Sequence, residues 1–186
     1  MVLLFALAAG LLAGLAWAGW RRQPYLAPEL QYLWLVFIAF LLQIFVTRLS
    51  GISTGLVAVC LLVSQILLFG FAWANRRISG VPVLICGVLL NLIVMTANGG
   101  FMPVSLSTAS CLLPEQRLHD VQPGSRIGQK DILLRPQDTR FEWLADRYLT
   151  PARFPFHSAF SLGDVFIAIG TFWILAKPGS SIKLNE

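Results

Sequence analysis

Five long apolar runs dominate this sequence and restrict what the chain can fold into. They cover about residues 1–20, 30–47, 52–74, 81–97 and 160–177, and charged or turn-forming residues bound each of them. A helix needs about 20 apolar residues to cross the hydrocarbon core of a bilayer, which is about 30 Å thick. We therefore predict an all-α integral membrane protein whose core is a five-helix transmembrane bundle.

The composition agrees with a membrane protein rather than a soluble one. Hydrophobic residues make up 56% of the chain and charged residues only 12%, whereas soluble domains carry about 25% charged residues. A net charge of +5 and a pI near 9.6 would by themselves suit a nucleic-acid ligand. The basic residues lie in pairs at the ends of apolar runs, however, and not along one polar face. The lipid bilayer is the predicted partner, and nucleic acid is not.

The positions of the cations predict an orientation. Cytoplasmic loops carry an excess of Lys and Arg, and placing the N-terminus outside leaves only Arg48 in the short outer turn. The same placement puts these residues on the cytoplasmic side: Arg21, Arg22, Arg76, Arg77, Lys177 and Lys183. We predict a multi-pass protein of the bacterial cytoplasmic (inner) membrane, with a cytoplasmic tail at 178–186. Cleavage after Ala16-Trp17-Ala18 is the alternative for the first run, although its positive charge follows the run instead of preceding it.

The connection over residues 98–159 is too long for an idle linker and should have structure of its own. Within it we predict one amphipathic helix over about 139–149. Thr139 and Glu142 have the spacing of a capping box, and Pro151 stops the pattern. Apolar residues recur at helical spacing between these signals: Phe141, Leu144, Ala145 and Tyr148.

Asp164 is the best clue to a site, because it is a carboxylate one turn inside the last apolar run. An acid costs on the order of 2.5–3.5 kcal/mol at the centre of a membrane helix and less near its edge, so a partner or a polar cavity is expected. Counting helical turns places other polar groups at a similar depth. We predict one outward-facing ligand-binding pocket formed by these residues: Gln43, Asn91, Asn98, Gly99, Gly100 and Asp164.

Asp164 also has a structural and a catalytic interpretation. Ser161 three residues earlier is a suitable N-cap, which would make the acid part of a capping box. As a catalytic group, Asp164 would act as acid or base, with Asp146 as a second acid if the amphipathic helix folds over it. Asn and Gln in membrane helices often only join helices, and Gly99-Gly100 suits a helix C-cap.

Metal and cofactor sites are not predicted. His119-Asp120 and His157 are far apart in sequence and lack the spacing of metal ligands on a helix. A stripe of small residues, Gly10, Gly14 and Ala18, would let another helix approach closely. We predict that this stripe contacts either another membrane protein or a second copy of this chain.

Three motifs resemble a known family. NGGFMPV at 98–104, DTRFEWLAD at 138–146 and FSLGDVFIAIG at 160–170 together resemble small multi-pass bacterial membrane proteins described only as a domain of unknown function. The resemblance implies an architecture and a location but no activity.

A more distant likeness is to lipoprotein signal peptidase, an intramembrane aspartic protease. GVLLNLIV and FSLGD look similar to its motifs in order and orientation, and place Asn91 and Asp164 on matching positions. Val94 stands where that family has its first catalytic aspartate, so the resemblance implies an incomplete pair of acids.

Two functions follow from these observations. The first is a non-catalytic binding or assembly component with a polar pocket around Asp164, favoured because the acid pair is absent. The alternative is a membrane-embedded enzyme that acts on a lipid-linked substrate at the outer leaflet. A transporter ranks third, since the chain has few spans for an inverted repeat.

Overall fold

Six α-helices and five short strands form the described part of the chain. The computed structural model describes residues 2–48, 51–113, 121–128, 130–151 and 157–177, so the predicted tail at 178–186 lies outside it. The helices are α1 (Val2–Trp20), α2 (Leu33–Arg48), α3 (Thr54–Ala74), α4 (Val81–Ala97), α5 (Leu106–Leu112) and α6 (Leu162–Ala176). The strands are β1 (Met102–Val104), β2 (Arg126–Ile127), β3 (Asp131–Leu133), β4 (Tyr148–Leu149) and β5 (Ala159–Phe160).

The five apolar helices are arranged in a row. The main contacts join α1 to α6, α6 to α4, α4 to α3 and α3 to α2. Helix α1 runs parallel to α6, since Gly10 lies against Phe172 and Gly14 against Leu175. Helix α4 runs antiparallel to α6. The C-terminal ends of α1, α3 and α6 therefore lie at one end of the row. The C-terminal end of α4 and the chain that follows it lie at the other.

Glycines bring neighbouring helices unusually close together. A Cβ atom on Gly170 would lie 2.6 Å from the backbone nitrogen of Leu84, and one on Gly10 would lie 2.9 Å from the carbonyl oxygen of Phe172. Such short separations are possible only where no side chain intervenes. The small-residue stripe of α1 is buried and faces α6 of the same chain, so contact with a second chain through this stripe would require α1 to leave α6.

The prediction of a five-helix transmembrane bundle is wrong in its count. Among the described helices, α1 with 19 residues and α3 with 21 are long and apolar enough to cross a membrane. Helices α2, α4 and α6 have 16, 17 and 15 residues, fewer than the roughly 20 needed. The apolar runs overestimated helix length because their ends form other structures. Tyr32 has φ 56° in a turn before α2, and Phe160 belongs to β5.

The chain is also not all-α, because residues between α4 and α6 form two small sheets. Strand β3 is central in the first sheet, parallel to β1 and antiparallel to β2, while β4 pairs antiparallel with β5. We call the described residues 98–113, 121–128, 130–151 and 157–160 the cap. Its own apolar core consists of Val104, Ala109, Ile127 and Leu133.

The predicted amphipathic helix over 139–149 is absent. The segment instead forms 3-10 turns at Pro136–Asp138 and Glu142–Leu144, followed by β4. Phe141 has φ 56°, in the left-handed region that interrupts a helix. The hydroxyl of Thr139 donates to the carbonyl oxygen of Arg135 instead of capping a new helix. The apolar pattern of this segment nevertheless reflects burial, because Leu144 packs into the main core of the bundle.

Gly14→Ala should destabilise the contact between α1 and α6. The added methyl group would meet the carbonyl oxygen of Leu175 and lie 2.7 Å from the ring of Tyr25, and overpacking of this kind costs about 1–3 kcal/mol. Thermal unfolding in one detergent, followed by circular dichroism, should show a lower Tm. Gly19→Ala is the matched control, because nothing lies within 4 Å of its Cβ position. Equal Tm values for the two variants would contradict the described packing.

Candidate functional site

A group of polar side chains joins the cap to the helices at the end of the row where α4 stops and α6 begins. We call it the junction cluster. Its members are Asn91, Lys130, Asp131, Asp146, Ser161 and Asp164.

Asp164 takes its position from the local sequence. The hydroxyl oxygen of Ser161 accepts a hydrogen bond from the backbone N–H of Asp164 at 3.0 Å, and Asp164 Oδ2 accepts one from the backbone N–H of Ser161 at 3.2 Å. This reciprocal pair is a capping box at the start of α6, which satisfies two backbone donors that a helix leaves open. The carboxylate is therefore a structural part of the helix start.

Asn91 reaches the same carboxylate from α4. Its Nδ2 atom donates to Asp164 Oδ1 at 2.9 Å, and its Oδ1 atom accepts from the Ser161 hydroxyl at 2.9 Å. Close helix approach permits this geometry, because a Cβ on Gly87 would lie 2.5 Å from the carbonyl oxygen of Gly163. Three side chains thus form a ring of hydrogen bonds between α4 and α6.

Lys130 connects this ring to the cap. Its Nζ atom lies 3.1 Å from Asp146 Oδ2 and 3.5 Å from Asp164 Oδ2. The side chain of Asp146 is only 1% exposed, whereas that of Lys130 is 35% exposed. One ammonium group therefore compensates two carboxylates that come from different parts of the chain. Sequence reasoning missed Lys130, because several basic residues in the long connection were equally suitable partners for a buried acid.

Asp131 completes the cluster as a third acid. Its carboxyl group lies close to that of Asp146, and Oδ1 of each residue is buried without a hydrogen-bond partner among the described residues. Burial, with the nearby negative charges of Asp146 and Asp164, raises the pKa of Asp131 to about 7 against the opposing effect of Lys130. Burial likewise raises the pKa of Asp146. Burial alone would lower the pKa of Lys130, but the three carboxylates outweigh it and raise that pKa above its ordinary value.

Asn98 attaches the cap to α4 at a second position. Its Nδ2 atom donates to the carbonyl oxygens of Val94 and Arg140, at 2.7 and 2.9 Å, and its Oδ1 atom accepts from the backbone N–H of Arg140 at 2.9 Å. Gly99 and Gly100 follow with positive φ values of 72° and 90°, and the N–H of Gly100 caps the Met95 carbonyl at 2.7 Å. These residues form a helix C-cap and an anchor for the cap.

Gln43 does not join the junction cluster. Its Nε2 atom donates to the hydroxyl of Ser64 at 2.8 Å, which places it between α2 and α3. The structure therefore brings Asn91, Asp164 and Asp146 together around Lys130 and places Gln43 at another interface.

A cleft of about 170 Å³ lies beside the cluster on the cap. Asp146 lines it, so the cleft and the cluster share one residue. Hydroxyl and charged groups make up much of the remaining lining: Ser105, Ser107, Thr108, Thr139, Glu142 and Arg147. A group of three or more side chains suited to a metal ion is not found among the described residues, which include His157 but not His119-Asp120.

Comparison with protein families assigns the chain to a family. A family model described as a family of unknown function (DUF5317) matches residues 28–176. The chain belongs to this family. The DUF5317 match includes every residue of the junction cluster and confirms the predicted resemblance to a domain of unknown function. Comparison with curated proteins and with solved structures gave no match, so the likeness to lipoprotein signal peptidase receives no support.

Asp164→Ala should weaken the attachment of the cap. The change removes acceptors for Asn91 and for the Ser161 N–H, and it leaves Lys130 with one partner fewer. Hydrogen bonds to charged groups contribute about 1.5–3 kcal/mol, so we expect a loss of that size in the free energy of unfolding, measured by chemical denaturation in detergent.

Asp138→Ala is the matched control. Asp138 is paired with Arg135 at 3.5 Å, but both side chains are more than half exposed, and exposed pairs contribute about 0–1 kcal/mol. A loss as large for Asp138→Ala as for Asp164→Ala would show that the junction cluster has no special role.

Proposed function

We propose that this protein is a non-catalytic, membrane-embedded binding component whose cap binds a small polar ligand. One observation carries the proposal: the carboxylate of Asp164 is already engaged by groups of its own chain. It accepts hydrogen bonds from the Ser161 N–H and the Asn91 amide, and it forms an ion pair with the Lys130 ammonium. A general acid or base must instead reach a substrate proton, so this carboxylate is better suited to holding the cap.

Exposed apolar surface supports the membrane setting. Only 17% of the apolar window of α1 and 39% of that of α3 are buried within the described structure, whereas the core helix of a soluble protein is mostly buried. Large patches of exposed apolar surface indicate an interaction with a membrane or another protein. Neighbouring helices add large exposed side chains to this surface: Phe37, Leu41, Phe45, Ile169 and Trp173.

The distribution of cations supports a multi-pass orientation in the bacterial cytoplasmic membrane with the cap outside. Arg21, Arg22, Arg76 and Arg77 follow the ends of α1 and α3. The Lys177 ammonium donates to the Ser79 hydroxyl at 3.1 Å, which joins the end of α6 to the turn between α3 and α4. These cations thus share the end of the row opposite the cap, as expected for a cytoplasmic end.

A native cysteine tests this orientation. Cys111 is exposed on α5 of the cap. With Cys60 and Cys86 replaced by Ser, a membrane-impermeant maleimide should label Cys111 in intact spheroplasts, because that thiol faces the outer solution.

The matched control places the thiol at the other end. Ser79→Cys, in a chain with all three native cysteines replaced by Ser, should be labelled only after the membrane is permeabilised, since Ser79 is exposed at the basic end. The reverse labelling pattern would place the cap in the cytoplasm.

The lining of the cleft supports a ligand that is small and polar. A volume of about 170 Å³ is below the roughly 300–1,000 Å³ of drug-sized pockets. The lining combines hydroxyl groups with two acidic residues, Glu142 and Asp146, and one guanidinium, Arg147, so it offers both hydrogen-bond donors and acceptors.

Ser107→Trp should abolish ligand binding. Ser107 is exposed and lines the cleft, so an indole at this position fills the cleft without disturbing the core. Native mass spectrometry of protein purified from its own membranes in mild detergent should show a retained small-molecule mass on the wild type and none on the variant. Ser110→Trp is the control, because Ser110 is exposed on the same helix but does not line the cleft. Absence of any retained mass on the wild type would contradict the proposal.

A second function, an enzyme acting on a lipid-linked substrate at the outer leaflet, has one observation in its favour. Asp146 and Asp164 approach the same Lys130 ammonium, so two carboxyl groups and one ammonium group share one small volume. The burial of Asp146 weighs against it. Native mass spectrometry separates the two functions, because an enzyme would convert an added lipid-modified peptide to a shortened product, whereas a binding component would return it unchanged.

A further inference from the structure

We propose that Asp131 and Asp146 bind a single proton between them, and that this shared proton holds strand β3 against the segment that carries Asp146. The site is a proton-binding site inside the junction cluster. It exists whether or not the cleft binds a ligand.

Two buried carboxyl oxygens without partners favour a proton at this position. Asp131 lies opposite Met102 in the sheet, and the N–H of Asp146 donates to the carbonyl oxygen of the next residue, Pro103, so the two carboxyl groups lie close together. Oδ1 of each residue is buried, and among the described residues no donor reaches either atom. Two ionised carboxylates are both acceptors only, and they repel each other. A hydrogen bond between them forms when one of the two is protonated.

The position of Lys130 decides which acid carries the proton. Its ammonium lies 3.1 Å from Asp146 Oδ2, and a close positive charge favours the ionised form of a carboxyl group. Asp146 is thus the carboxylate and Asp131 the protonated partner that donates to it. Burial raises the pKa of both acids, to about 7 for Asp131, and the direct contact with Lys130 is what distinguishes Asp146 as the ionised partner.

The charged groups around the pair leave it with excess negative charge. Strand β1 has no charged side chain, Arg126 of β2 lies over the ring of Phe101 at 5.6 Å, and α6 presents Asp164. In the segment that carries Asp146, the charged residues Arg140, Glu142 and Arg147 are exposed. Lys130 is the cation that contacts the acids among the described residues. Three acids with one ammonium group favour the uptake of one proton.

The shared proton connects the sheet to the segment that follows the second 3-10 turn. Asp131 pairs with Met102 on β1 and with Ile127 on β2, so it belongs to the centre of the sheet. Asp146 belongs to the segment after the second 3-10 turn, and its N–H donates to the Pro103 carbonyl at 3.2 Å. Loss of the proton would place two negative charges in contact inside this junction.

The pH dependence follows from the raised pKa. Because the folded protein holds this proton more tightly than the unfolded chain does, the contribution to stability is complete below about pH 4. It decreases as the pH rises towards the folded pKa of Asp131 at about 7. Above that value the contribution is lost and no longer changes with pH.

Asp131→Asn tests the proposal, because an amide supplies a neutral donor in place of the protonated carboxyl group. The wild type should lose several degrees of Tm between about pH 6 and about pH 8.5, and Asp131→Asn should lose much less. Its Tm should exceed that of the wild type at the higher pH. Asp138→Asn changes an exposed acid and should keep the wild-type pH dependence.

Infrared difference spectroscopy gives an independent measurement. At about pH 6 an ordinary carboxyl group is ionised, so a protonated-carboxyl band that disappears by about pH 8.5 reports a raised pKa. The wild type and Asp138→Asn should show this band, and Asp131→Asn should lack it. A wild type without the band overturns the proposal even if Asp131→Asn fails to fold. Persistence of the band in a folded Asp131→Asn variant also overturns it.

Discussion

The ammonium group of Lys130, held between Asp146 and Asp164, is the interaction on which the arrangement of the cap depends. Asp164 begins a helix of the apolar row, and Asp146 is almost completely buried in the cap. A buried carboxylate without a counter-charge is strongly unfavourable, and removing one partner of such a pair typically costs about 3–5 kcal/mol. Lys130 and Asp146 both belong to the cap, so Asp164 obtains this counter-charge when the cap contacts the row of helices.

The glycines of the helix row make the polar ring beneath this cation possible. Gly87 and Gly163 let α4 and α6 approach until Asn91 bonds both Ser161 and Asp164. The ring leaves the Asp164 carboxylate with partners on both oxygens. We therefore propose that the acids of this DUF5317 protein position the cap and hold a proton, and that the neighbouring cleft binds the ligand.

Part of this arrangement was predictable, and particular residues show why the rest was not. Asp164 was singled out because an acid is costly in an apolar run, and its spacing from Ser161 predicted a possible capping box. The helix expected over 139–149 failed at Phe141, whose left-handed backbone a periodic apolar pattern does not reveal. Five spans were expected because apolar runs do not show where a helix stops, and Phe160 was used in a strand pair instead.

By itself the sequence determined the apolar composition, the approximate positions of the five apolar helices and the polar pair that begins α6, because these depend on neighbouring residues in the chain. Only the tertiary structure decided that Asn91, 73 positions away, bonds Asp164, and that Lys130 is the cation between the acids. It also placed Asp131 against Asp146. Coulomb energies and hydrogen bonds depend on distance in space, and for residues so far apart in sequence that distance is set only when the cap folds onto the helices.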